Sequence, residues 1–285
     1  MSEPPPAPAP PPESFFLDLP PTYSDIQLFT ASRAGDETRV QELMSAGANP
    51  QKYRDEFDNT ALLEAASLGK NTIVSMLLYG ADLSIQNNDG NTALHRAADR
   101  GHNEVTTTLI EAGADLNLQN KDGNTALHRA ADNGHNEVTK RLIEAKADLN
   151  MKNNEGNTAL HRAANSGHNE VTTRLIEAKA DLNMKNNEGN TALHRAASSG
   201  HNEVTTRLID AGADLNIQNN VEDTAVHCAA DRGHNEVVIN LFLSGADMNK
   251  QNKDWETPPH YPIARLVISI VYMTNSQYIN SFMIK

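Results

Sequence analysis

The chain has 285 residues, with 24 lysines and arginines against 37 aspartates and glutamates, a formal net charge of −13. That balance argues against nucleic acid as a main partner, because affinity for phosphates comes largely from basic charge, and it disfavours an anionic membrane surface. The single cysteine, Cys228, excludes a disulfide framework and a thiolate metal site, so a reducing, cytoplasmic home is expected.

Residues 1–24 stand apart. Nine of the thirteen prolines lie there, which favours polyproline II, rules out a packed core and predicts a disordered tail. The segment shows no basic stretch and no apolar signal core. Near its end Pro20-Pro21-Thr22-Tyr23 fits P-P-x-Y, with Leu19 in front. This is similar to the ligand of WW domains, which HECT-type ubiquitin ligases carry. Prolines pre-set an extended helix that docks on aromatic rings, and Tyr23 would fill an adjacent pocket. The alternative is that Leu19 and Tyr23 pack on the first repeat while Ser24 caps the first helix with Gln27.

From residue 25 to 253 a period takes over. The block T-A-L-H-R-A-A followed by G-H-N-E-V starts at Thr92, Thr125, Thr158 and Thr191, and returns altered at Thr224. Gly35, Gly69, Gly101, Gly134, Gly167, Gly200 and Gly233 register seven units, 34, 32, 33, 33, 33 and 33 residues apart. The extra residue falls within Gln51–Phe57 and the missing one near Leu78–Tyr79. A strict period of this length predicts a solenoid whose units bury their apolar faces against neighbours.

Within one unit, Leu94, Ala97 and Ala98 fall at helical spacing, and Gly101 ends that short helix. Asn103 and Glu104 open a second helix, the acid suiting the positive end of its dipole. Val105, Leu109 and Ile110 form its apolar face, and Gly113 closes it. Asn120-Lys121-Asp122-Gly123 reads as a projecting turn. In the first unit Leu28, Val40 and Leu43 face inward, while Thr30, Ser32, Arg33, Asp36, Glu37 and Arg39 supply a polar outer surface.

Residues 254–285 read as a degenerate eighth unit or cap. Leu266 stands where its glycine should be, and Pro258, Pro259 and Pro262 crowd its first helix. Arg265 to Tyr272 reads as an apolar helix acting as a lid; the alternative is a dimer contact or a membrane-surface contact, the cationic face that the latter prefers being missing. The apolar stretch around Ile263 to Met273 is too short to span a bilayer. Trp255, the only tryptophan, would be part of the cap if packed and a partner anchor if exposed.

The T-A-L-H tetrad, the A-A pair, G-H-N-E-V and G-A-D-L-N together resemble the ankyrin repeat, in register over residues 25–260. The resemblance implies an all-α ankyrin-repeat solenoid. Each unit would be two antiparallel helices and a β-turn finger, stacked into a curved array. Its concave face, made of fingers and first helices, usually binds a partner protein. The resemblance also implies that the tetrad histidine bonds the tetrad threonine and nearby backbone. Lys146 and Lys179 depart from the pattern by replacing the glycine of G-A-D, which costs about 1 kcal/mol if φ is positive there. Asp58, Glu222 and Trp255 replace the finger glycine, so those turns are expected to be reshaped. Leu109, Asp115, Leu116 and Asn117 match in outline the site that asparaginyl hydroxylases use on ankyrin repeats, a modification received.

All eleven histidines fall at repeat positions. They march along the stack where ligands or a general base would have to converge. Gly69-Lys70 lacks the upstream glycine of a P-loop, the carboxylates recur with the repeat, and Cys228 has no activating set. No catalytic residue, no cofactor and no metal is expected.

The informative residues lie on the first helices. Arg96, Arg129, Arg162 and Arg195 form one column. Neighbours about 10 Å apart repel by only about 0.4 kcal/mol in water, and finger acids Asp89, Asp122, Glu155 and Glu188 would offset that further. The column is either a salt-bridged face copied by duplication or a ladder of arginine forks for acidic or phosphorylated segments. Beside it runs a more varied column: Asp99-Arg100, Asp132-Asn133, Asn165-Ser166, Ser198-Ser199 and Asp231-Arg232. Variation amid near-identity points to where specificity would reside; the alternative is drift alone, which produces the same pattern. The expected function is a non-catalytic scaffold or adaptor that binds a partner on the concave face, with Pro20, Pro21 and Tyr23 bringing a second protein close. The alternatives are a host-directed effector of an intracellular bacterium, acting in host cytoplasm through a WW-domain ubiquitin ligase, and a structural repeat product with no specific ligand.

Overall fold

The computed structural model describes residues 20–258. His260, Leu266 and the Arg265–Tyr272 stretch lie outside them, as do the first nineteen residues of the tail. Among the described residues there are fourteen helices and no strand. They form seven pairs: α1 (Tyr23–Ala34) with α2 (Glu37–Ser45), α3 (Ala61–Ser67) with α4 (Asn71–Leu77), α5 (Ala93–Asp99) with α6 (Asn103–Glu111), α7 (Ala126–Asp132) with α8 (Asn136–Glu144), α9 (Ala159–Ser166) with α10 (Asn169–Glu177), α11 (Ala192–Ser199) with α12 (Asn202–Asp210), and α13 (Ala225–Asp231) with α14 (Asn235–Leu243). First helices pack on first helices of neighbouring units, and second helices on second.

Each first helix is started by the same local chemistry. Thr92 is extended (φ −86°, ψ 174°), and its hydroxyl accepts from the His95 amide at 3.4 Å while His95 Nδ1 accepts from the Thr92 amide at 3.2 Å. This is a capping box with histidine where glutamate is usual. In the first unit the box is Thr22 with Asp25, not Ser24 with Gln27. Asp25 is short enough to reach back to the Thr22 amide at 2.7 Å, and its other oxygen accepts from Asn49 at 2.7 Å. Gln27 instead accepts from Arg39 on the surface. Helix α1 thus takes in Tyr23 and Ser24, the last two residues of the proline-rich stretch.

The helix pairs close on small side chains. Ala97, Ala98, Ala130, Ala131, Ala163, Ala164, Ala196 and Ala197 are fully buried, and so are Leu109, Leu142, Leu175 and Leu208 facing them from the second helices. Alanine costs little side-chain entropy and lets backbones approach, while the leucines supply most of the apolar area. At the first unit Leu28, Val40 and Leu43 are buried as expected. Ser32 is buried too, outside the polar surface assigned to it, because its hydroxyl donates to the Leu28 carbonyl at 2.7 Å. The missing residue of the second unit comes out of α4, which has seven residues where α6 has nine. The segment with the extra residue brings Tyr53 edge-on to Phe29, ring centres 5.1 Å apart.

The substituted finger turns are not reshaped. Asp58, Glu222 and Trp255 adopt φ of 62°, 64° and 63°, beside 77° at Gly90. Hydrogen bonds over-determine the turn: in the last finger Trp255 N–H donates to the Asn252 carbonyl and Glu256 N–H to Asn252 Oδ1, both at 3.0 Å. The strain of a left-handed side-chain residue is therefore held locally. Lys146 and Lys179 likewise keep the glycine conformation, at φ 70° and 69°.

Candidate protein-binding face

The tetrad histidines are structural pins. His95 Nδ1 accepts from the Thr92 amide, so the proton sits on Nε2, which donates to the Asn124 carbonyl of the next unit at 2.9 Å. His128, His161, His194 and His227 repeat the bond to Asn157, Asn190, Asp223 and Glu256. Burial, helped by the Arg129 charge and opposed by the bond to Asn124, lowers the His95 pKa to about 4. His128, His161 and His194 are lowered to about 4 in the same way. With both ring nitrogens engaged and the ring neutral, these groups are not free to bind metal or move a proton. No cluster of three or more His, Cys, Asp or Glu among the described residues could hold a metal ion. Cys228 is half-buried, and burial, then Asp223, pushes its thiol up to about 12, far from a nucleophile's range.

The second set of histidines reaches backwards. His135 Nε2 lies 3.0 Å from the Asp99 carbonyl, and His168, His201 and His234 hold the carbonyls of Asp132, Asn165 and Ser198. Each ring covers the glycine of the preceding unit: a Cβ on Gly101 would come 2.6 Å from His135 Nδ1. The carbonyls so held belong to the first residue of four of the five pairs in the varied column. The fold therefore claims those backbones and leaves the side chains largely free. Asn165, Asp231 and Arg232 are exposed, as are Arg100 and Asn133, while Asp99, Asp132, Ser166, Ser198 and Ser199 are half-buried. The side-chain bonds there are few: Asn133 donates to the Arg129 carbonyl at 3.0 Å and to Asp99 at 3.2 Å, Ser166 to Asp132 at 3.4 Å, and Arg232 to the Ser198 carbonyl at 3.4 Å.

The fingers are fastened by asparagines that sequence reasoning passed over. Asn153 Nδ2 donates to Asn124 Oδ1 at 2.9 Å, and its own Oδ1 accepts from the amides of Glu155 and Asn157. The same link joins Asn120 to Asn91, Asn186 to Asn157 and Asn219 to Asn190. Their recurrence at one repeat position was the available signal. In the G-A-D-L-N loops Asn117 Oδ1 accepts from the Asp148 amide at 2.9 Å, so that residue too serves the stack.

The arginine column is mostly internal ion pairing. Arg129 meets Asp122 at 3.3 Å, Arg162 meets Glu155 at 3.2 Å and Arg195 meets Glu188 at 3.0 Å. The three arginine side chains are only 26%, 23% and 26% exposed. Each acid lies seven residues before its arginine, at a fingertip. Where the fingertip residue is Phe57 or Val221, the column position is Glu64 or Cys228, so acid and arginine are lost together. Arg96 differs: its Nε is buried without a partner. It lines a groove of about 680 Å³ with Phe29, Tyr53, Phe57 and Arg100.

At the tail, Pro20 and Pro21 are exposed, Thr22 is extended (φ −79°, ψ 165°) and Tyr23 is 75% exposed on the first turn of α1. Tyr23 does not pack on the first repeat. At the other end Trp255 is 76% exposed, and residues 259–285, against which a cap would pack, lie outside the described residues.

Stacked helix pairs, bonded finger to finger and carrying a row of varied side chains on one face, define a repeat interaction module. Residues 28–120, 108–186 and 163–252 match the family described as "Ankyrin repeats (3 copies)", and the chain belongs to the ankyrin-repeat family. It is similar to dynein axonemal heavy chain 12 of Bos taurus, 40% identical over 72 residues, 25% of this chain and 20% of that one. It is also similar to an ankyrin repeat-containing protein of Treponema pallidum (strain Nichols), 35% identical over 74 residues, 26% of this chain and 25% of the other. A third similarity is to the ARF GTPase-activating protein GIT2 of Homo sapiens, 33% identical over 86 residues, 30% and 11% of the two chains. The match spans a quarter or less of each relative's length. Among the described residues no helix is long and apolar enough to cross a membrane.

Proposed function

We propose that the chain is a non-catalytic, cytoplasmic scaffold or adaptor that binds a partner protein on the face of its fingers and first helices. Ankyrin repeats are general protein–protein interaction modules. The observation that carries the reading to particular residues is the histidine grip on the carbonyls of Asp99, Asp132, Asn165 and Ser198. Side chains that the fold does not need are free to be chosen by a partner. The test is capture of a partner from the native cell by the full chain and by its Asn133→Arg, Asn165→Arg variant, two exposed positions of the varied column, with helicity checked by circular dichroism. The reading expects a well-folded variant that loses the partner; unchanged recovery counts against this face.

The tail motif supports a second attachment. Pro20 to Thr22 are exposed and Tyr23 projects to solvent, the order of groups that a WW domain reads. Binding of a WW domain by the full chain, abolished in Tyr23→Ala, is the expected result; equal binding by that variant removes the motif from the account.

A further inference from the structure

We infer that the groove at the junction of the first three units is a docking site for an extended partner segment carrying a carboxylate beside an aromatic side chain. The inference deepens the face-binding reading and rests on it. Arg96 and Arg100 stand four residues apart, on one side of a helical turn, and both line the groove. The neighbouring arginines of the column are each satisfied by a fingertip acid. Arg96 has no ion pair among the described residues and a buried Nε without a partner. Arg100 is exposed and likewise forms no ion pair among them.

The groove lining sets three acids, Asp55, Glu56 and Glu64, against Arg33, Arg96 and Arg100. Glu64 meets Arg33 at 3.2 Å, and Asp55 accepts from the amides of Phe57 and Asn59 and from the Asn59 side chain. Arg96 and Arg100, side by side and without ion pairs among the described residues, leave guanidinium donors open to an anion, while Asp55 and Glu56 keep their charge. The net charge of −13 and Glu56 favour a singly charged carboxylate over a dianionic phosphate. The apolar half of the site is Phe57, 59% exposed at the fingertip where the next four units carry acids, beside the Phe29–Tyr53 pair. An exposed aromatic ring next to unpaired guanidinium groups suits an aromatic neighbour of the carboxylate. The groove crosses α1, α3 and α5, two helix spacings of about 10 Å each, the reach of about six extended residues.

The test is fluorescence anisotropy of the full chain with a labelled ten-residue peptide of serine and glycine around a central Glu-Phe. Saturable binding is expected, weakened by about tenfold or more in Arg96→Glu, Arg100→Glu, and reduced in Phe57→Ala and in a peptide with glutamine for glutamate. The distant Arg162→Glu is expected to bind within about twofold of the parent. Absence of saturable binding, or binding that Arg96→Glu, Arg100→Glu leaves unchanged, overturns the proposal. Loss in Arg162→Glu alone overturns the groove while leaving the wider face standing. A phosphoserine version that binds much more tightly than the carboxylate peptide overturns the assignment of the anion.

Discussion

His128 Nε2 donates to the carbonyl of Asn157, one unit along, at 2.9 Å, while its Nδ1 accepts from Thr125 in its own unit. One neutral ring thus caps its own helix and pins the next finger. Protonation removes the Nδ1 acceptor, so the bond that starts the helix is lost with the charge change.

The array is therefore expected to be acid-sensitive. His95, His128, His161 and His194 have folded pKa values of about 4 against 6.5. The unfolded chain takes up these protons first, so stability is full above about pH 6.5 and falls as the pH drops toward about 4. Each histidine contributes up to about 3 kcal/mol to that loss. Urea midpoints should fall steeply between about pH 6.5 and about pH 4.5, and less steeply in His128→Gln. A flat profile across that window contradicts the pinning role.

Two glycine positions are expected to respond differently. Gly113 has φ 86° with nothing near its Cβ direction, so Gly113→Ala should cost about 1 kcal/mol from backbone strain. A Cβ on Gly134 would lie 2.6 Å from His168 Nδ1. Gly134→Ala must displace that ring from the Asp132 carbonyl and should cost about 3 kcal/mol or more. Conversely Lys146→Gly and Lys179→Gly should each stabilise by about 0.5–1 kcal/mol. Denaturant titration of the four variants checks the order, and equal costs at Gly113 and Gly134 would be the contrary result.

Stability and freedom should separate between the asparagines. Asn153 is buried and receives two finger amides, so Asn153→Ala should cost roughly 2–4 kcal/mol and speed hydrogen exchange at Glu155 and Asn157. Asn133→Ser lies in the varied column and should stay within about 0.5 kcal/mol of the parent. Comparable losses at both sites would mean that the column is structural.

Packing gives the plainest case. Leu142 is fully buried between second helices, and Leu142→Ala should cost about 2–5 kcal/mol. Thermal unfolding that shifts by less than the surface variants would contradict the stacked core.

Much of this was legible in the sequence because the repeat states each rule several times. Thr92, Leu94, Ala97 and Gly101 each carry a local signal, and their recurrence gives the stacking. Three things were not legible. The turns at Asp58, Glu222 and Trp255 keep a glycine's φ because finger hydrogen bonds outweigh the strain, a balance that residue identity does not display. The grip of His135 on Asp99 spans 36 residues, so a local reading sees only a histidine after a glycine. Arg96 has the same sequence relation to Asp89 that Arg129 has to Asp122, yet it lines the groove with Phe57, because its neighbouring unit offers an aromatic fingertip and Glu64 in place of an acid and an arginine.

Lysine crosslinking with mass spectrometry in the native cell bears most directly on which surface meets the partner. Lys121, Lys152 and Lys185 lie exposed on the fingers, the last two with Nζ donating to the Lys185 and Gln218 carbonyls of the next finger, whereas Lys140 lies on α8 and Lys146 and Lys179 follow second helices. Partner crosslinks are expected at Lys121, Lys152 and Lys185. Crosslinks confined to Lys140, Lys146 and Lys179 would place the partner on the opposite side and contradict the binding face.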